Sequence, residues 1–271
     1  MTEIKDTVNH DADKDSNGDN HFGFQSVKTE DKAKMVRDVF DNVASKYDIM
    51  NDAMSLGVHR LWKDSLIDTL KPFPGMSHID VAGGTGDIAF RVLDAVRKKT
   101  DDPEKLAKTN IAITDINEQM LNVGRNRAID RGDMNQFKFF VGDAETLPVE
   151  ANTYDSYTIA FGIRNVSRID VALRDAYRIL KPGGRFLCLE FSEVILPYLA
   201  ELYDKYSFQL IPKLGEIITQ DRDSYQYLVE SIRRFPKQEA FTTMIKDAGF
   251  EKVSYRNMSG GIVALHSGWK I

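Results

Sequence analysis

Cysteine is almost absent from this chain: of 271 residues only Cys188 carries a thiol, which excludes an intrachain disulfide and a thiolate cage for a metal. A reducing intracellular compartment and no bound metal are expected. Long apolar runs are missing too, none approaching the ~18 residues of a membrane-spanning helix. The first residues also lack the basic start and apolar middle of a signal peptide, so a soluble protein is expected. A missing transit peptide excludes less, because such a presequence is cut off in life. Excess positive charge is the third absence. Acidic residues outnumber basic ones 41 to 36, and the whole imbalance of −5 lies between Met1 and Asp31. The neutral remainder gives no broad basic surface for nucleic acid, and small-molecule chemistry becomes the favoured class.

What is present suits one large globular domain, with 42% hydrophobic and 10% aromatic residues. Residues 1–30 have little aliphatic content and are expected to form a disordered acidic tail. Within 31–74, Val36, Val39, Phe40 and Val43, and then Trp62, Leu66 and Leu70, recur at helical spacing and predict a helical cover ended by Pro72 and Pro74. From Ile79 onward strands and helices alternate. Strands are expected at Ile111 to Thr114, Phe137 to Val141, Asp155 to Phe161 and Arg185 to Leu189, with apolar helical faces at Ile88 to Val96, Met120 to Ala128 and Ala172 to Leu180. Such alternation predicts a parallel sheet covered on both faces. Arg97 to Asn110 reads as a solvated insertion. Residues 196–236 are crowded with tyrosine and phenylalanine and read as a lid or subunit interface. A last helix ending at Gly249 precedes two runs, Glu251 to Arg256 and Ile262 to His266, that predict a terminal antiparallel hairpin.

The Ile79 strand runs straight into Gly83-Gly84-Thr85-Gly86 and then a helix. A glycine turn there lets backbone approach a ligand closely, at the sheet edge where α/β folds bind nucleotides. Alone, the motif fits a dinucleotide turn or an empty one. Two acids sharpen it. Asp115, at the end of the second strand, can accept both hydroxyls of a ribose. Asp143, after the third, can accept from an adenine amine, with Ala144 leaving room for the ring.

Asp80 to Gly86, followed by Asp115 and Asp143, resembles the S-adenosylmethionine-dependent methyltransferases of the Rossmann-like class. Ala82 stands where many of those enzymes carry their first glycine. Three longer strings narrow the resemblance to the C-methyltransferases of ubiquinone and menaquinone biosynthesis: Tyr47 to Asn51 with Ser55, His59 and Trp62; Phe161 to Val166; and Arg178 to Gly184 with Glu190 to Ser192. The resemblance spans about Lys34 to Lys270 and leans to the mitochondrial branch, which methylates a ring carbon of a polyprenylated methoxy-benzoquinol. It implies a seven-stranded, mostly parallel sheet with an antiparallel end, and S-adenosyl-L-methionine held by Tyr47, Gly83, Gly84, Thr85, Gly86, Asp115, Ile116, Asp143, Ala144 and Phe161. It also implies a homodimer in the mitochondrial matrix, peripheral on the inner membrane beside other quinone-synthesis proteins.

Carbon methylation of a quinol needs a phenolate and an aligned donor. Arg164, just past the fourth strand, is expected to present its guanidinium fork to that phenolate. Asn165 is expected to orient the same oxygen, and His59, or a water held by Arg164, to accept the proton. Surface pairing of His59 and Arg60, and a loop-closing ion pair of Arg164, are the competing readings. At the level of function the alternatives are a methyltransferase for another small apolar acceptor and a non-catalytic scaffold of a quinone-synthesis complex.

Overall fold

The computed structural model describes residues 19–43, 52, 55, 57–195 and 222–271. Its centre is a seven-stranded sheet in the order β5-β4-β3-β6-β7-β9-β8. The strands are β3 (Ser77–Val81), β4 (Asn110–Asp115), β5 (Phe137–Val141), β6 (Tyr154–Ala160), β7 (Leu180–Phe191), β8 (Glu251–Met258) and β9 (Val263–Trp269). β3 to β7 pair in parallel, and β9 runs antiparallel between β7 and β8. The expected fold class is therefore the observed one, including the terminal hairpin.

Alternation along the strands divides the core. In β7, Leu187 and Leu189 pack on one face while Phe186 and Cys188 pack on the other, all fully buried. The first face is covered by α1 (Thr29–Val43), α2 (His59–Leu70), α3 (Asp87–Arg97), α5 (Glu118–Asp130) and α7 (Arg222–Arg234). The second is covered by α6 (Ile169–Ile179) and α8 (Gln238–Asp247). α3 forms because Ile88, Ala89, Val92, Leu93 and Val96 make one apolar stripe, and every one of them is buried. α5 starts where the Asn117 side chain accepts from the Met120 N–H at 3.0 Å. The charged stretch after α3 holds the five-residue α4 (Pro103–Ala107), capped by Asp102 and burying no side chain.

Two expectations require correction. Residues 19–30 are not a tail: β1 (Asp19–Phe22) and β2 (Gln25–Lys28) form an antiparallel hairpin leading directly into α1. The Phe22 ring stacks on Tyr227 with centroids 4.1 Å apart, and the Phe24 N–H donates to Glu230 Oε2 at 3.0 Å. Charge averaged over thirty residues concealed three apolar residues and a glycine turn. The second correction concerns 196–236, whose described part is α7. Tyr225 and Leu228 of that helix are fully buried, because its apolar stripe joins the core cluster of the first face, so this part is core where a lid or interface insertion was expected. The remainder of that segment lies outside the described residues.

Candidate functional site

β3 lies between β4 and β6, so the chain reverses its direction of travel across the sheet beside it, which opens a crevice at the strands' carboxyl ends. The cavity there holds about 1090 Å³ of empty space, its open mouth included. Gly83, Gly84, Thr85, Asp115, Ile116, Asp143, Ala144, Phe161 and Asn165 all line it. Gly86 stands just behind as the residue before α3, in the left-handed region at φ 83°. Tyr47 lies outside the described residues.

The glycines are there for space. A Cβ on Gly83 would stand 2.9 Å from both Asp80 Oδ2 and Ile113 Cγ2, and one on Gly142 would stand 2.6 Å from Thr114 Oγ1. Gly84 takes φ 51° and donates its N–H to Asp115 Oδ2 at 2.9 Å. The other oxygen of Asp115 accepts from the Asn117 N–H at 2.9 Å. Burial still pushes this carboxyl up to about 6, against those backbone donors. The carboxylate has acceptor capacity left for a ligand hydroxyl. Asp143 accepts from the Glu145 N–H through Oδ1 at 2.9 Å, leaving Oδ2 able to accept from a ligand.

Sequence reasoning missed three charged groups here. Asp80 is 1% exposed and accepts from the Thr158 hydroxyl at 2.8 Å through Oδ1, while its Oδ2 has no hydrogen-bond partner. Burial pushes its carboxyl up to about 7. Lys63 reaches from α2 to Asp87 at 2.8 Å. Although burial opposes it, Lys63 and Arg91 hold the Asp87 carboxyl down at about 2. The missed signals were a carboxylate ending a buried strand and a lysine one helical turn beyond His59. Over the mouth lie Ala33, Val36, Arg37 and Phe40 of α1, the helical cover that was expected.

The far wall departs from expectation. Arg164 does not present its fork to the cavity. Its Nη1 donates to Glu190 Oε1 at 2.7 Å and to the Phe161 carbonyl at 2.5 Å, and its Nε to Ser231 Oγ at 3.3 Å. The guanidinium is buried, and its partner Glu190 is buried with it. The physical reason is Glu190: a carboxylate sealed inside β7 needs a cation, and Arg164 supplies it. The pair holds Phe161 in the left-handed region at φ 58°, a strained conformation fixed beside the cavity. Nor does the structure bring His59 to the wall. Its Nε2 meets Asp52 at 2.9 Å and its Nδ1 is buried without a partner; burial, then Lys63, lowers its pKa. Asp52 also pairs with Arg60. Asn165 does line the cavity, and its Oδ1 accepts from the Tyr227 hydroxyl at 2.9 Å.

A glycine-cradled crevice with acids at successive strand ends offers acceptors for the hydroxyls and amine of a nucleoside; comparison with known proteins supplies the family. The model of the ubiE/COQ5 methyltransferase family matches residues 27–270. The chain belongs to the ubiE/COQ5 methyltransferase family. It is 59% identical over 258 residues to the mitochondrial 2-methoxy-6-polyprenyl-1,4-benzoquinol methylase of Arabidopsis thaliana, covering 92% of this chain and 90% of the relative. It is 57% identical over 252 residues to the ubiquinone/menaquinone biosynthesis C-methyltransferase UbiE of Brucella abortus (strain S19), with 92% and 90% covered. Among solved structures, a SAM-dependent methyltransferase from Thermotoga maritima superposes with a TM-score of 0.58 at 18% identity, covering 86% of this chain and 99% of that one. That likeness shows the fold. Membership of the ubiE/COQ5 family makes the chain a methyltransferase enzyme.

The residues present fit the methyl donor of such a family. The unpartnered Asp80 Oδ2, the cradle that a Cβ on Gly83 or Gly142 would fill, and the acceptor capacity of Asp115 together suit a cationic amino acid joined to a nucleoside.

Proposed function

We propose that this chain catalyses S-adenosyl-L-methionine-dependent C-methylation of a polyprenylated methoxy-benzoquinol in ubiquinone biosynthesis. The observation that carries the reading is the placement of Asp80, Asp115 and Asp143 at three strand ends around one cavity. Asp115 would hold the ribose, Asp143 and Ala144 the adenine, and Asp80 with the glycine turn the amino-acid end. When bound, the donor supplies an electrophilic methyl group. The chain's own work is then to align the ring carbon, exclude water under α1, and steady the charge that grows on the phenolic oxygen. Asn165 is the neutral donor placed for the last task, with its amide N–H₂. Arg164 acts behind it by fixing the Phe161 turn.

The mitochondrial plant relative supports a mitochondrial setting, and no helix among the described residues is long and apolar enough to cross a membrane. A peripheral position on the matrix side of the inner membrane, a homodimer and contact with other quinone-synthesis proteins complete the reading, all carried by the family resemblance.

Calorimetry tests the cofactor. Saturable S-adenosylmethionine binding is expected, with NAD and ATP giving none. Asp115→Ala is expected to weaken it by ~1.5–3 kcal/mol, as for hydrogen bonds to a charged group, or about 10- to 150-fold; unchanged affinity overturns the assignment. Product analysis tests the reaction, because a C-methyl group survives treatments that cleave a methyl ether.

A further inference from the structure

α7 lies behind the far wall and touches it through two side chains one helical turn apart. Ser231 takes the Nε–H of Arg164, and Tyr227 donates its hydroxyl to Asn165 Oδ1 at 2.9 Å. Tyr227 is 4% exposed, and burial raises its pKa, so the phenol keeps its proton and stays a donor. Its ring is fixed from the other side by Phe22, stacked at 4.1 Å with an interplanar angle of 14°. One turn further along α7, Glu230 holds the tip of the same hairpin through the Phe24 N–H.

A carboxamide has two chemically opposite ends on one rotatable bond. Left alone, Asn165 could turn either end to the cavity it lines, and the carbonyl end would repel a phenolate. With Oδ1 taken by a buried hydroxyl, the N–H₂ is the end that remains to offer. We infer that Tyr227 is a positioning residue for methyl transfer: it fixes the Asn165 amide so that Nδ2 faces the acceptor oxygen, and the N-terminal hairpin holds Tyr227 in register through Phe22. This rests on the assignment of Asn165 to the acceptor side of the cavity.

The test is a double-mutant cycle on the full chain. Tyr227→Phe keeps the ring and its stack and removes only the hydroxyl. With a short-chain quinol at saturating cofactor, it is expected to lower kcat about tenfold, the scale of one misplaced hydrogen bond in a transition state. The calorimetric Kd for S-adenosylmethionine is expected to stay within about twofold, because Tyr227 does not reach that end of the cavity. In the Asn165→Ala background the same change is expected to alter kcat by less than about twofold, since the group it acts through is gone. A readout independent of turnover is the Asn165 side-chain amide pair in a ¹⁵N spectrum, assigned by its loss in Asn165→Ala and expected to shift in Tyr227→Phe. Phe22→Leu, remote from the cavity, is expected to give a smaller kcat loss that also vanishes without Asn165. Equal losses in both backgrounds, or an unmoved amide pair, overturn the role of Tyr227 while leaving Asn165 in place. If Asn165→Ala itself leaves kcat unchanged, the assignment of Asn165 fails, and the inference with it.

Discussion

The two walls of the cavity are built in opposite ways. On the near wall Asp80, Asp115 and Asp143 stand at or just past the ends of adjacent parallel strands, and the turns that follow set their directions: Gly84 and Asn117 donate to Asp115, and Glu145 to Asp143. The far wall is assembled from distant parts of the chain. Arg164 meets Glu190 in β7 and Ser231 in α7, Asn165 meets Tyr227, Asn20 donates to the Ser167 carbonyl at 2.7 Å, and Lys32 to the Val166 carbonyl at 3.1 Å. One wall is a local consequence of strand and turn geometry. The other is a tertiary product, in which Arg164 and Glu190 are spent on each other and Lys32 on a backbone carbonyl and Asn20. A charge beside a cavity is therefore available to a ligand only when no buried opposite charge lies behind it.

Removing Arg164 should break the far wall and spare the near one. Arg164→Ala leaves Glu190 sealed in β7 without a cation, and burial already raises the pKa of that carboxyl against the pull of Arg164. The expected loss is ~3–5 kcal/mol, the usual consequence of stripping one partner from a buried pair. Chemical denaturation measures it directly. A loss below ~1 kcal/mol would show that the pair is solvated and that Arg164 is free to face a substrate.

The same contrast explains what the sequence discloses. Strand and helix periods, the glycine turn and the acids at the ends of β4 and β5 are local patterns, and the residues assigned from them, from Gly83 to Ala144, line the cavity, with Gly86 just behind it. Arg164 was legible as a residue near the site, and an ion pair was the competing reading of it, but its partner was not legible, because Glu190 is 26 positions away at the end of a strand that reads as merely apolar. Tyr227 stood out only as one aromatic among many, and Phe22 carried no signal at all. Their contact joins a segment that composition assigns to a tail with one that reads as a lid. Asp80 was hidden differently: it sits inside the motif, but one unpartnered oxygen is a property of the folded interior.

That oxygen gives the near wall its own test. Asp80 faces Thr158, with His78 hydrogen-bonded to the same hydroxyl, and feels Asp87 and Asp115 as like charges. Its folded carboxyl stands at about 7 against an unfolded value of 3.8. The folded chain therefore binds this proton more tightly, and stability is full below pH ~4, falling as pH rises toward ~7. One such group contributes at most ~1.4 kcal/mol per pH unit. Without ligand, Asp80→Asn is expected to flatten the stability profile across that window relative to the parent chain. Superimposable slopes would mean that water or a counter-charge already satisfies the carboxylate.

The smallest effect probes the seam between the walls. Ala82, in the glycine turn, takes φ 49°, where a side chain is strained, and a Cβ on Gly162 would stand 2.5 Å from the Ala82 Cβ. Neither atom is at the end of a flexible chain, so the clash can be relieved only by moving backbone. Gly162 itself has φ −118°, which any residue adopts. Gly162→Ala is thus expected to cost ~1–3 kcal/mol through overpacking alone. Adding Ala82→Gly removes the opposing methyl and places glycine where φ is positive, so the double variant should recover most of that loss. Thermal melts of the four proteins decide it. Additive losses would mean that the two turns do not touch in solution, whereas recovery would show that one methyl group, shared between the turn after β3 and the turn after β6, sets how closely the two walls approach.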